Sequence, residues 1–185
     1  MSEGNPFRDE RPSGQTFQHT PVGARVPERL AKGVYSTGQV ILDSPREFVI
    51  DFLQGLTRPY QVALRVVMAP PTFEELSKAL RENIDNYTRS FGPPPSLPIP
   101  VPEKRPGLAE IYDNFKIPEE QLSGAYANAV LIGHSPAEFF LDFVTGFYPT
   151  AAVSGRVFMA AGMAPRFLTS VESSLASWKQ RNART

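Results

Sequence analysis

Asp51 and Asp142 are the residues best placed by type and setting to do chemistry. Each sits among phenylalanines, in EFVIDFL and EFFLDFV, and each has an arginine, Arg65 or Arg156, fourteen positions on. An acid held in apolar surroundings favours its neutral form and can act as a general acid or base. The competing chemistry is simpler. With period-two alternation, Asp51 and Arg65 project from the same face of adjacent strands, where a cross-strand ion pair stabilises the sheet by about 0.2–1 kcal/mol. The structural pairing is the reading we favour, and no residue is assigned as catalytic. His134 beside Ser135 suggests a base and a nucleophile, yet neighbours along a strand point to opposite faces, so His134 reads as a turn residue. No glycine-rich phosphate loop is present, because Gly33, Gly38 and Gly55 are scattered among strand ends without a Lys-Ser/Thr sequel. The chain has no cysteine and its two histidines, His19 and His134, are far apart, so neither a thiolate metal site nor a cofactor is expected.

The elements that must position these residues come in two copies. A shift of 91 positions lays Pro27-Glu28 on Pro118-Glu119, Gly33 on Gly124, Tyr35 on Tyr126 and Ser44-Pro45 on Ser135-Pro136. The same shift carries Asp51-Phe52 onto Asp142-Phe143 and Arg65-Val66 onto Arg156-Val157 without a gap. Such register through two turns is the mark of an internal duplication. In each copy a first strand, Tyr35 to Asp43 or Tyr126 to His134, stops at Ser-Pro. A second strand, Glu47 to Leu53 or Glu138 to Val144, alternates with period two. The third runs from Gln61 to Ala69 or from Ala152 to Ala160. The period then becomes helical: Thr72, three residues before Glu75, is a candidate N-cap, and Phe73, Leu76, Leu80, Ile84 and Tyr87 form one stripe. Leu168, Val171, Leu175 and Trp178 repeat that stripe after Ala164-Pro165.

The fold expected is α+β, with two β-β-β-α repeats over 27–91 and 118–181. Two antiparallel three-stranded sheets, each covered by its C-terminal helix, would pack as an intramolecular pseudo-dimer. Residues 1–26 are polar and poor in aliphatics and are expected to be a disordered tail. Residues 92–106 contain seven prolines and read as an extended spacer within a linker of 92–117, which ends in a short helix at Leu108 to Phe115. With 19 basic against 19 acidic residues, the chain has no broad field to attract phosphates or anionic membranes. The absence of a long apolar run and of an apolar leader gives the expectation of a soluble, cytoplasmic protein.

Strand two is apolar on both faces, so a single unit leaves one face open to the other copy, a second chain or a protein partner. A non-enzymatic protein-binding module, with chaperone-like binding of polypeptide as one form, is therefore the first expectation. A nucleic-acid or transcription-associated accessory protein is the alternative, resting on Lys179, Arg181 and Arg184.

The segments PEEQLSGAYANAVLIGHSPAEFFLDF (Pro118 to Phe143) and GRVFMA (Gly155 to Ala160) resemble the bacterial and archaeal family called domain of unknown function 3467. PERLAKGVYSTGQVILDSPREFVIDF (Pro27 to Phe52) and LRVVMAPPTFEELSKALRENIDNY (Leu64 to Tyr87) resemble it less closely. Thr37 stands where the family usually has the asparagine kept as Asn128, and the usual Met-Ser-Pro step reads Met68-Ala69-Pro70 and Met159-Ala160-Ala161. The resemblance brings no activity with it, but it implies that the two copies make a built-in dimer. A more distant similarity to the SecB export chaperone implies antiparallel sheets backed by helices, with apolar surface that accepts unfolded chains.

Overall fold

The computed structural model describes residues 24–98, 107–147 and 150–183 of the chain. In the first repeat β1 (Val34–Tyr35), β2 (Gly38–Asp43), β3 (Phe48–Gln54) and β4 (Gln61–Met68) lead into α1 (Pro70–Phe91). A short linker helix, α2 (Leu108–Asn114), precedes β5 (Ala125–Ala127), β6 (Ala129–His134), β7 (Glu138–Phe147), β8 (Thr150–Ala160) and α3 (Ala164–Asn182). The α+β architecture, the two repeats and their antiparallel three-stranded cores are as the sequence implies.

Each sheet has a fourth strand, and it comes from the other repeat. The orders are β2-β3-β4-β5 and β1-β8-β7-β6. The expected first strand, Tyr35 to Asp43, is in fact two strands lying in different sheets. Val34–Tyr35 pairs in parallel with Val157–Phe158, while Gly38–Asp43 pairs antiparallel with β3. In the second copy Ala125–Ala127 pairs in parallel with Val66–Met68. The break falls at Ser36-Thr37. The Ser36 amide still donates to the Phe158 carbonyl (2.8 Å), while the Thr37 amide donates to Leu53 (2.8 Å), so the chain changes sheet between adjacent residues.

The helices cross over as well. α1 runs beside β6, the edge strand of the second sheet, and α3 lies beside β2, the edge strand of the first. The inner faces of both sheets, carrying Phe48, Ile50, Phe52, Phe139, Leu141 and Phe143, therefore share one core with Phe73, Leu80 and Phe167 of the helices. Burying each such side chain stabilises the fold by about 1.5–3 kcal/mol relative to exposure. α1 begins at Pro70 and has no side-chain cap, contrary to the capping box expected at Thr72. Two prolines occupy its first positions, where their fixed φ suits the helix and their missing donors cost nothing.

Three pairs of positions related by the 91-residue shift touch each other: Phe52 with Phe143 (ring centroids 5.5 Å apart), Leu64 with Gly155, and Arg81 with Glu172. Residues that meet their own equivalents lie on a twofold axis. The axis is approximate because the pairs have diverged into complements. A Cβ on Gly155 would fall 2.7 Å from the Leu64 side chain, and Arg81 meets an acid where an exact copy would present a second arginine.

The described linker residues that follow α1 are not detached from the fold. A Cβ on Gly162 would lie 2.2 Å from the Pro95 carbonyl oxygen, so the chain is laid over the start of α3. The disordered tail expected over 1–26 lies outside the described residues except for 24–26, where Arg25 forms a parallel bridge with Ala152.

Candidate functional site

The two acid and base candidates occupy equivalent places on the outer faces of the two sheets. Asp51 faces Arg65 and Asp142 faces Arg156 in the strand registers. Arg65 donates through Nε (2.7 Å) and Nη2 (2.8 Å) to the two oxygens of Asp51, and Arg156 does the same to Asp142 at 2.6 and 2.7 Å. This fork-to-fork geometry is the strongest form of the pair. The arginines are both raised above their ordinary value, chiefly by the hydrogen bonds to their aspartates.

The remaining guanidinium nitrogens show what the pairs hold. Arg65 Nη1 donates to the Leu122 carbonyl (3.2 Å), and Arg156 Nη1 donates to Ala31 (3.3 Å), its equivalent in the other repeat. Leu122 and Ala31 follow the 3-10 turns that lead into the exchanged strands β5 and β1. Gly33 and Gly124, with φ of 61° and 70°, complete those turns. A Cβ on Gly33 would come within 2.8 Å of Arg156 Cγ, and one on Gly124 within 2.9 Å of Arg65 Cγ. Each ion pair is thus a clamp that grips the segment arriving from the opposite repeat.

Among the described residues, Asp51 has a third partner and Asp142 has none. The Tyr112 hydroxyl, on α2, donates to Asp51 Oδ2. Burial first, and then this bond to a carboxylate, push the Tyr112 phenol above its ordinary value of 10.0. Asp51 is completely buried and Asp142 is 6% exposed. The short helix expected at Leu108 to Phe115 docks across the outer face of the first sheet, where Ile111, Tyr112 and Phe115 pack on Val40, Leu53 and Val62.

His134 and Ser135 do not form a base and nucleophile. Ser135 Oγ accepts from the amides of Ala137 and Glu138 and donates to the Glu138 carboxylate, which commits it to the turn. The His134 ring lies among Tyr87, Phe91 and Phe139, and its Nδ1 is buried without a partner. Of the basic residues named at the C-terminus, Lys179 pairs with Glu74 and Arg181 with Asp43, whereas Arg184 lies outside the described residues.

Residue spacing carried a signal for one further device. Tyr87 and Trp178 are equivalent, and each donates to a Ser-Pro turn of the other repeat: Tyr87 Oη to Pro136 O (2.8 Å) and Trp178 Nε1 to Ser44 O (2.8 Å). Tyr112 has no such signal, since no aromatic residue stands 91 positions before it.

The outer faces differ between the copies. On the first sheet, the positions beyond the ion pair are Val49 and Val67. On the second they are Phe140 and Phe158, whose rings are 6.3 Å apart, beside Tyr35 of the exchanged strand. Phe140 is 37% and Tyr35 42% exposed.

These features define a duplicated α+β protein closed by reciprocal exchange of strands and helices. The chain belongs to the family described as protein of unknown function (DUF3467), whose model matches residues 7–95 and again residues 102–184. No curated protein matches the chain. Among the described residues, no helix is long and apolar enough to cross a membrane.

Proposed function

We propose that the protein is a non-enzymatic protein-binding module whose recognition surface is the aromatic end of the second sheet's outer face. The observation that carries this reading is the pair Phe140 and Phe158, at positions where the first copy has Val49 and Val67, set beside Tyr35, whose equivalent Tyr126 lies beside Val67; Phe140 and Tyr35 are exposed. Aromatic residues are enriched where proteins meet partners, because they bury a large area at low entropic cost. The partner is a polypeptide segment with an apolar face. The first sheet supplies the precedent, since its outer face is covered by α2, a short helix with such a face. The even charge balance argues against a polyanion, and Lys179 and Arg181 are already engaged with acids.

The test is a quantitative crosslinking capture from the native cells, comparing the tagged protein with its Phe140→Glu variant. Partners that crosslink beside Phe140 and are lost from the variant support the reading. Equal recovery with both proteins, or crosslinks confined to other surfaces, rejects it. Many unrelated unfolded chains in the Phe140-dependent set would specify chaperone-like binding, and a short set of defined partners an adaptor.

A further inference from the structure

We infer that the outer face of the first sheet is a second polypeptide-binding surface, held shut by α2, and that its partner is a segment with α2's own pattern. That pattern is an aliphatic residue, a tyrosine and, three positions on, a phenylalanine, as in Ile111, Tyr112 and Phe115. These side chains pack on Val40, Leu53 and Val62, and the Phe115 ring lies 5.5 Å from that of Tyr60, centroid to centroid. The Tyr112 hydroxyl donates to Asp51 Oδ2. The face therefore reads two things at once, an apolar shape and a hydroxyl donor. A segment that covered Asp51 without such a donor would leave a buried acceptor unsatisfied, which costs more than the bond itself contributes. The inference concerns the opposite sheet from the aromatic cluster and stands without it.

The cover is built to come off. Seven residues are too few for a helix to hold itself in water, and among the described residues neither end of α2 has a side-chain cap. None of its residues is buried, whereas both long helices bury several. Its docking depends on the face beneath it, and its release breaks no pairing among β2, β3 and β4. Just beyond it the Lys116 amide donates to Tyr60 (2.9 Å) and the Lys116 carbonyl accepts from Val62 (2.8 Å), so the chain stays anchored when α2 leaves. The ion pair under the cover does not need it: Asp142 and Arg156 form the same fork on the second sheet with Asp142 6% exposed. Docked, α2 shields an aliphatic face from indiscriminate association; tethered beside it, α2 competes with any partner and yields only to one that makes the same contacts more tightly.

Two measurements on the full-length protein test this. In native-state hydrogen exchange of the wild type, the Ile111 amide, which donates to Gly107 (3.1 Å), should exchange about a hundredfold or more faster than the amides of β3, through release of α2 alone. Equal protection would mean that α2 leaves only on global unfolding, and overturns the inference. A labelled peptide with the sequence of residues 107–117 should bind the Ile111→Ser/Phe115→Ser protein and shift the resonances of Val40, Leu53 and Val62. The wild type should bind it about tenfold more weakly or worse, because its own α2 competes from a short tether. The same peptide carrying Tyr112→Phe should bind the variant severalfold more weakly. No binding by the folded variant, equal affinity for the two proteins, indifference to the tyrosine hydroxyl, or shifts centred on Phe140 and Phe158 each overturns the inference. The exchange measurement decides the matter alone if the variant does not fold.

Discussion

Asp51 and Asp142 share an arginine clamp but differ in their third partner, and that difference can be measured. Removing one member of a buried pair leaves the other charge without compensation, a loss of about 3–5 kcal/mol. Arg156→Ala should therefore lower the urea midpoint far more than an exposed arginine substitution does; a shift below about 0.5 kcal/mol would mean that the pair clamps nothing. Tyr112 gives a pH signature. Its phenol is raised in the folded state, so the stability it contributes is complete below the unfolded value near 10 and is lost as pH rises through the folded one. The drop in stability on going from pH 9 to pH 11 should be smaller in Tyr112→Phe than in the wild type, and identical slopes would contradict the assignment. Residue types and the 91-residue repeat made both ion pairs legible in the sequence. They could not disclose the tyrosine, because α2 has no repeat partner to reveal it and an aromatic residue on a seven-residue helix has no period that tells which surface it meets.

At the scale of elements, the turns and helix ends do the joining. Tyr87 and Trp178 each fasten a helix to the other repeat's Ser-Pro turn by one hydrogen bond. Trp178→Phe keeps an aromatic ring near Phe48 but removes the donor to Ser44, and should cost about 1 kcal/mol in thermal or urea unfolding. Gly33→Ala meets both a left-handed backbone and the Phe158 ring, with its Cβ 2.6 Å from Cε2, so a loss of at least about 1–3 kcal/mol is expected. Full stability of that variant would show that the turn adopts another path. Alternation and the change to helical period identified most strands and both long helices. Exchange was hidden because Val34–Tyr35 runs into Gly38–Asp43 with only Ser36-Thr37 between them. A period of two specifies which face a side chain takes and not which sheet edge the strand joins. The same limit hid the crossing of the helices: an apolar stripe requires burial but does not choose between two similar sheets.

For the molecule as a whole, duplication with exchange makes neither repeat self-sufficient. Each sheet lacks an edge strand without the other copy, and the two inner faces share one core. Fusion into one chain also let residues on the axis become complementary, as in Leu64 with Gly155 and Arg81 with Glu172, which two identical chains could not do. The outer faces diverged in the same way, one covered by α2 and the other bearing aromatic side chains. The central claim is the reciprocal exchange of β1 and β5, and interstrand nuclear Overhauser contacts in the intact chain test it most directly. Contacts of Val34–Tyr35 with Val157–Phe158, together with contacts of Ala125–Ala127 with Val66–Met68, are the result expected. Contacts of Val34–Tyr35 with Val66–Val67, the equivalent positions in its own repeat, would contradict the exchange.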